Sequence, residues 1–344
     1  MRYAIEERLA GVVPPSSKRV SGHYKVLYGL RSTIRLGMKR TAMISCLGYF
    51  MLFMAVQALF AEENVKAPPL PLQNVEGFGG ILITGSAYLI NPSEEDKIFG
   101  LPALGVTYVN IGDGRHMEAF TVSETLWGRF ELGYALNHFG LGKLPEDIEA
   151  ATGVNTIEDS VYLHNFNARL QLLKEDAFKK SWIPALTVGL HYKHNDDTDV
   201  IDRRLGGAFS DIEIKDNNGV DVTLFASKMI KSLPRPLMLN AGVRSTEAAQ
   251  IGLFGFTEDR RTVFEGNFGV LVLDNLVVGG EYRQKPDEFN ALPGLVEEED
   301  DWWDSYITYI ASDNLTMSIA FASFGDVFNH EADDVWGIKF KWEF

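Results

Sequence analysis

The 344-residue chain has a single cysteine, Cys46. One thiol excludes a disulfide framework and a metal site built on cysteines. Beyond residue 61 no run is apolar enough for a membrane helix, which needs about 20 such residues. Positive charge is also scarce there. Residues 1 to 61 carry nine Lys/Arg and two Asp/Glu, so 23 basic residues stand against 45 acidic ones in the remainder. Phosphate binding depends on Lys and Arg, and so acidic a chain excludes nucleic acid as an expected partner. No glycine loop has the phosphate-binding spacing, and no EF-hand pattern occurs.

What is present begins at Met38 with "MKRTAMISCLGYFMLFMAVQALFAEEN", two basic residues, an apolar run and small residues before acidic ones. This is the layout of a secretory signal, residues 38–61, with cleavage expected after Ala61 rather than Ala58. Cys46 lies too early for lipidation. Residues 1–37 read as an upstream start-site extension. Residues 62–100, rich in proline and glycine, read as a linker, a plug or an additional strand.

Twelve strands are expected in unbroken succession at 104–111, 116–123, 128–137, 160–172, 183–193, 219–229, 237–246, 262–272, 276–284, 303–311, 315–323 and 335–344. Most span about ten residues, the length of a tilted membrane-crossing strand. In "YLHNFNARLQL", Phe166, Ala168, Leu170 and Leu172 share one face, and Asn165, Asn167, Arg169 and Gln171 the other. Glu281 and Arg283 likewise oppose Val278 and Tyr282. One face suits lipid and the other water. Joins of 138–159, 194–218, 247–261 and 285–302 alternate with short ones such as "DN" at 274–275, which is the rhythm of long outer loops and short periplasmic turns. The expected fold is therefore all-β, a transmembrane antiparallel barrel at residues 101–344 with both termini periplasmic. Trp182 and Trp342 fall at one end of the strands and Trp302, Trp303 and Trp336 at the other, as two interfacial girdles would require. The chain ends on "VWGIKFKWEF". Its alternating Trp336, Ile338, Phe340, Trp342 and Phe344 look like the assembly signal of bacterial outer-membrane proteins.

"WIPALTVGLHYKHND", "GVDVTLFASKMI", "LMLNAGVRSTEAAQIGLFGF", "VVGGEYRQKPDEFN" and "EEDDWWDSYITYIASDNLTMSIAFASFGDV" resemble, in order, a family of bacterial outer-membrane proteins catalogued as domain of unknown function 3034. "FGGILITGSAYLI" is similar to that family's glycine-rich opening. The resemblance implies a barrel in a Gram-negative outer membrane, and no activity.

None of the seven histidines has a serine two residues on, and no Asp-x-His pair occurs, so the chain is not expected to be an enzyme. His191 and His194 with Asp196, Asp197 and Asp199 offer imidazole and carboxylate ligands for a metal in an outer loop, a solvated loop being the plainer reading. Acidic outer loops, including Glu297, Glu298 and Glu299, suit Ca or Mg shared with lipopolysaccharide, or bulk solubility alone. Expected partners are outer-membrane lipid and lipopolysaccharide, the barrel assembly machinery and small solutes. Arg244, Glu265, Arg283 and Asp304 are expected as a row of alternating charge near the outer mouth, with Arg169 and Glu281 also facing the lumen. The leading expectation is a narrow porin-like channel for small solutes. A non-conducting surface or scaffold barrel is the alternative, and an outer-membrane enzyme a third.

Overall fold

The computed structural model describes residues 70, 72–93, 97–152, 159–211, 213–286, 300–327 and 330–344. The signal at 38–61, the segment before it and Glu297 to Glu299 lie outside the described residues. The period-two stretches form twelve strands: β1 (Ala103–Gly112), β2 (Arg115–Leu126), β3 (Phe130–Leu141), β4 (Ser160–Leu173), β5 (Ala185–Asn195) and β6 (Asn218–Ile230). They continue as β7 (Leu237–Ala248), β8 (Phe256–Leu273), β9 (Leu276–Arg283), β10 (Trp302–Ile310), β11 (Leu315–Ser323) and β12 (Val335–Glu343). Each pairs antiparallel with its sequence neighbours, and β12 pairs with β1 from Trp336↔Asn110 to Glu343↔Ala103, which closes the barrel. Closure leaves no edge, the condition for a sheet to sit in hydrocarbon.

The alternation sets which side chains meet lipid. On β4, Phe166, Leu170 and Leu172 are exposed while Asn165, Asn167 and Arg169 are buried; on β11, Met317, Ile319 and Phe321 are exposed while Thr316 and Ser318 are buried. An outward apolar band rimmed by aromatics is the surface of a transmembrane barrel. Trp182 and Trp303 are exposed at opposite ends, as a girdle requires. Trp302 is a correction. Being adjacent to Trp303 it must take the opposite face, and it points inward, its ring tilted against Phe324 at 4.8 Å with Arg283 5.7 Å above it.

Among the described residues, the connections that carry α-helices lie at one end. The β3–β4 loop carries helix α1 (Leu144–Thr152), and the β5–β6 loop carries α2 (Thr198–Arg204), α3 (Ala208–Asp211) and a short strand, Ile214–Asp216, that pairs with the start of β8. The expected loop at 247–261 is shorter than the sequence suggested. β8 begins at Phe256, six residues early, because its charged "TEDRR" stretch still pairs with β7 and with Ile214–Asp216. That stretch is polar because it extends beyond the apolar band. The short turns and the C-terminus occupy the other end, which by the usual asymmetry is periplasmic. Trypsin applied to intact cells should therefore cut at exposed Arg203 and Arg204 and spare Lys179 and Lys180 until the outer membrane is opened. Cutting at Lys179 in intact cells would invert the orientation.

Candidate functional site

The lumen holds part of the chain itself. Residues 72–90 run inside the barrel, folded on themselves by pairing of Leu72–Gln73 with Gly79–Gly80 and by a tight turn at 81–84. Leu72, Gln73, Asn74, Glu76, Phe78, Ala87 and Ile90 are all buried. The chain leaves at the short-turn end, where Gly100 N–H donates to Thr125 O at 2.9 Å. Glycines let the backbone lie directly on the wall. Gly77 has φ +87°, and a Cβ there would stand 2.6 Å from Tyr134 O; one on Gly85 would stand 2.4 Å from the Phe225 ring. Of the segment 62–100, read from the sequence as linker, plug or additional strand, residues 72–90 are the part that lies inside the barrel.

A buried backbone needs partners, and wall side chains supply them. Glu281 accepts N–H bonds from Leu82 at 2.7 Å and Thr84 at 2.8 Å, and the Thr84 hydroxyl at 2.5 Å. Glu131 accepts from Gly79 N–H at 3.0 Å and Ile90 N–H at 2.8 Å, while Arg169 pairs with it at 2.8 Å and donates to Ser86 O. Asn137 donates to Val75 O at 2.9 Å, Asn167 to Glu76 O at 2.6 Å and Thr187 to Ala87 O at 2.6 Å.

Glu76 is the one charged residue between Leu72 and Ile90. Its carboxylate accepts from Lys193 at 2.5 Å, Arg244 at 2.8 Å and Arg283 at 2.9 Å. Asp221 lies 2.9 Å from Lys193 and 2.8 Å from Arg244, and Glu265 also pairs with Arg244. Phe78 sits beside this knot, its ring 4.4 Å from that of His191, with the guanidinium carbons of Arg169 and Arg244 at 5.0 and 5.8 Å. Such contacts hold a charged belt across the middle of the barrel.

Of the expected charge row, three members come together. Arg244, Glu265 and Arg283 adjoin, with Glu265 opposite Arg283 in register. Asp304 does not continue it. The stagger of β10 against β9 sets Asp304 opposite Glu281, two residues below Arg283. Sequence reasoning passed over Glu76, Lys193, Asp221 and Glu131. A lone acid in a glycine-rich apolar segment was the available signal for the first of these.

Above the belt the inner face turns apolar, a change the strand alternation did not suggest. Met117, Phe139, Val161 and Leu163 point inward and pack with the plug tip, Ile81 to Ile83, with Leu253 and Phe254 from the β7–β8 connection and with Phe256 at the start of β8. A cavity of about 10 Å³ remains beside Thr246, Ile251, Arg283 and Trp302, room for roughly one water.

The five residues considered for a metal do not converge, because residues 191 and 194 have opposite parity on one strand. His191 is inside, bonded to Asn167 at 2.7 Å and Thr223 at 2.8 Å, whereas His194 faces outward 3.6 Å from Asp196. Asp197 accepts from Tyr162 N–H at 2.9 Å, and Asp199 accepts from the Asn217 amide at 3.1 Å. These carboxylates hold their own loop. At the C-terminus, Ile338 and Phe340 face lipid, with Lys339 and Lys341 turned inward.

Solved structures similar to the chain are matched at low identity. The KdgM porin in complex with disordered oligogalacturonate is 10% identical, matching 70% of this chain and 99% of its own with a TM-score of 0.43. The Acinetobacter baumannii outer membrane protein Omp33 is 9% identical over 72% of this chain and 100% of its own, TM-score 0.39. The Salmonella typhi outer membrane phospholipase dimer with bound calcium is 7% identical over 73% and 94%, TM-score 0.36. No curated protein shows a significant match to the chain. The family model described as protein of unknown function DUF3034 matches residues 71–340, from the plug through β12. The chain belongs to the DUF3034 family.

Proposed function

We propose that the protein is a narrow porin-like channel for small solutes, closed in the described state by residues 72–90 and opened when that segment withdraws. One observation carries this reading. A strip of wall on β10–β12 and β1 turns polar groups into the lumen where the described plug residues offer them no hydrogen bond: Lys339 Nζ, Thr107 Oγ1, Thr316 Oγ1 and Asp304 Oδ1 have no protein partner among the described residues. Ser318, Lys339 and Thr107 lie side by side in register. Buried polar groups of this kind are satisfied by water, and Lys339 and Thr107, adjacent in register, supply part of the lining that an aqueous path requires. Lys341 is paired with Glu343 at 2.6 Å, which leaves Lys339 to give this path a positive charge that favours anions.

A second reading has its own support. The apolar cluster at the outer end is partly built from the β7–β8 connection, which would stay in place if the plug left. That favours a permanently closed surface or scaffold barrel. Planar-bilayer conductance of the wild type and of a variant lacking residues 62–100 separates the two. A silent wild type with a conducting deletion supports the gated channel, and Lys339→Glu in the deletion background should then move the reversal potential toward cations. If neither protein conducts, the channel reading fails and the closed barrel stands.

The reading is non-enzymatic, supported by His191 being bonded to amide and hydroxyl groups rather than to a nucleophile–carboxylate pair. Export is proposed to follow removal of residues 38–61, so the outer-membrane protein should begin at Glu62 on N-terminal sequencing.

A further inference from the structure

The outward face near the outer rim carries chemistry that the lumen does not use. Among the described residues, His116, Glu118 and His138 are the one trio of His and acidic side chains whose ligand atoms all lie within 4.8 Å of one another. His116 and Glu118 alternate on β2, and His138 stands opposite Glu118 on β3. His138 Nδ1 lies 3.0 Å from Glu118 Oε2. We propose that this trio binds a divalent transition-metal ion of the Zn²⁺ class at the outer membrane interface.

Three features make the site more than a chance grouping. First, His116 Nδ1 lies 3.2 Å from Gly114 O, so it carries the proton, and Nε2 presents its lone pair. A metal-binding imidazole is commonly oriented this way, by a hydrogen bond from its second nitrogen. Second, the residue opposite His116 is Gly140, and a Cβ there would stand 2.3 Å from the His116 ring. Only a glycine lets the imidazole lie flat across β3 toward His138. Third, both rings are flanked by aromatics. Tyr108 stacks on His116 at 6.1 Å, Tyr162 stacks on His138 at 4.8 Å, and the two imidazoles meet edge to face at 5.8 Å.

Two imidazoles and one carboxylate form a zinc donor set that leaves the fourth position for water. Metal–ligand bonds of about 2.0–2.1 Å place tetrahedral ligand atoms about 3.3 Å apart, within the reach of small side-chain rotations from the present spacing. The ion would cross-link β2 to β3 beside the loop that carries α1. His138 and Glu118 keep 17% and 31% of their side chains exposed, so an ion can enter from the interface.

The test uses the full mature barrel, free of any histidine tag, in detergent, titrated with Zn²⁺ alone by calorimetry. The expected result is one ion per barrel, with affinity lowered at least about tenfold by His116→Ala and by His138→Ala. Gly140→Ala removes no ligand but displaces the His116 ring, and it should weaken binding as well. His164→Ala and His194→Ala, in the neighbouring His164–Asp196–His194 group, should change nothing. Co²⁺ should give the visible absorption of a four-coordinate ion, lost in His116→Ala. Heat-modifiable mobility reports folding for each variant. Should Gly140→Ala not fold, Glu118→Gln, which keeps side-chain volume, takes its place with the same expected loss. Absence of saturable one-to-one binding overturns the proposal. So does binding that survives the His116→Ala, His138→Ala double substitution.

Discussion

Glu76→Ala should release the plug while leaving the wall folded. Three cations converge on that carboxylate, and neither Glu76, Lys193 nor Arg244 is exposed. Deleting one partner of a buried ionic group typically costs about 3–5 kcal/mol, because the remaining charges stay desolvated. Lys193 and Arg244 keep Asp221, and Arg244 keeps Glu265, whereas Arg283 is left with Glu265 at 3.9 Å. The plugged state should therefore lose more than about a hundredfold in population, at 1.4 kcal/mol per factor of ten. Cys46 being the sole cysteine, a Cys46→Ser background with Ser86→Cys provides one reporter, on a residue that is fully buried in the plugged state. Maleimide labelling should be slow in that parent and faster by at least two orders of magnitude once Glu76→Ala is added. The barrel should remain heat-modifiable in both, since its strand pairings do not involve residue 76. Unchanged labelling would mean that the charge knot does not hold the plug.

The second large effect concerns the closing strand. β12 pairs with β11 from Leu315↔Trp342 to Ala322↔Val335, and with β1 along its other edge. Removing residues 335–344 exposes two strand edges to hydrocarbon, where each unsatisfied backbone group costs several kcal/mol. No folded barrel is expected from that truncation, in cells or by refolding into detergent. Phe344→Asp separates folding from delivery. The backbone N–H of Phe344 donates to Pro102 O at 3.2 Å, a bond that Asp can also make, and the side chain lies beyond the last strand residue. The substituted protein should refold in detergent yet accumulate in the periplasm of cells. Normal levels of the heat-modifiable form in the outer membrane would refute the role of the terminal aromatic in assembly.

Strand number, the inward or outward direction of most side chains and the end at which long loops gather were legible in the sequence, because each depends on local period and spacing. Phe166 and Arg169 differ by an odd number of positions, and that alone puts them on opposite faces. The same rule would have separated His191 from His194 and turned Trp302 away from Trp303. What the chain does not encode locally is register. The stagger between neighbouring strands sets Asp304 beside Glu281 instead of continuing the row from Arg283, and it brings His116 across Gly140 toward His138. Lumen filling is further still from the local pattern. Residues 72–90 have no period of their own, and their conformation is held by carboxylates 52 to 199 positions away, Glu131 bonded to Gly79 and Glu281 to Leu82. The inner faces of β2, β3 and β4 change from Thr121, Asn137 and Asn165 to Met117, Phe139 and Leu163 because the outer end is packed by loops and plug tip rather than by water. A period-two pattern fixes which way a side chain points; only the folded barrel decides whether it meets solvent, an opposite charge or the protein's own N-terminal segment.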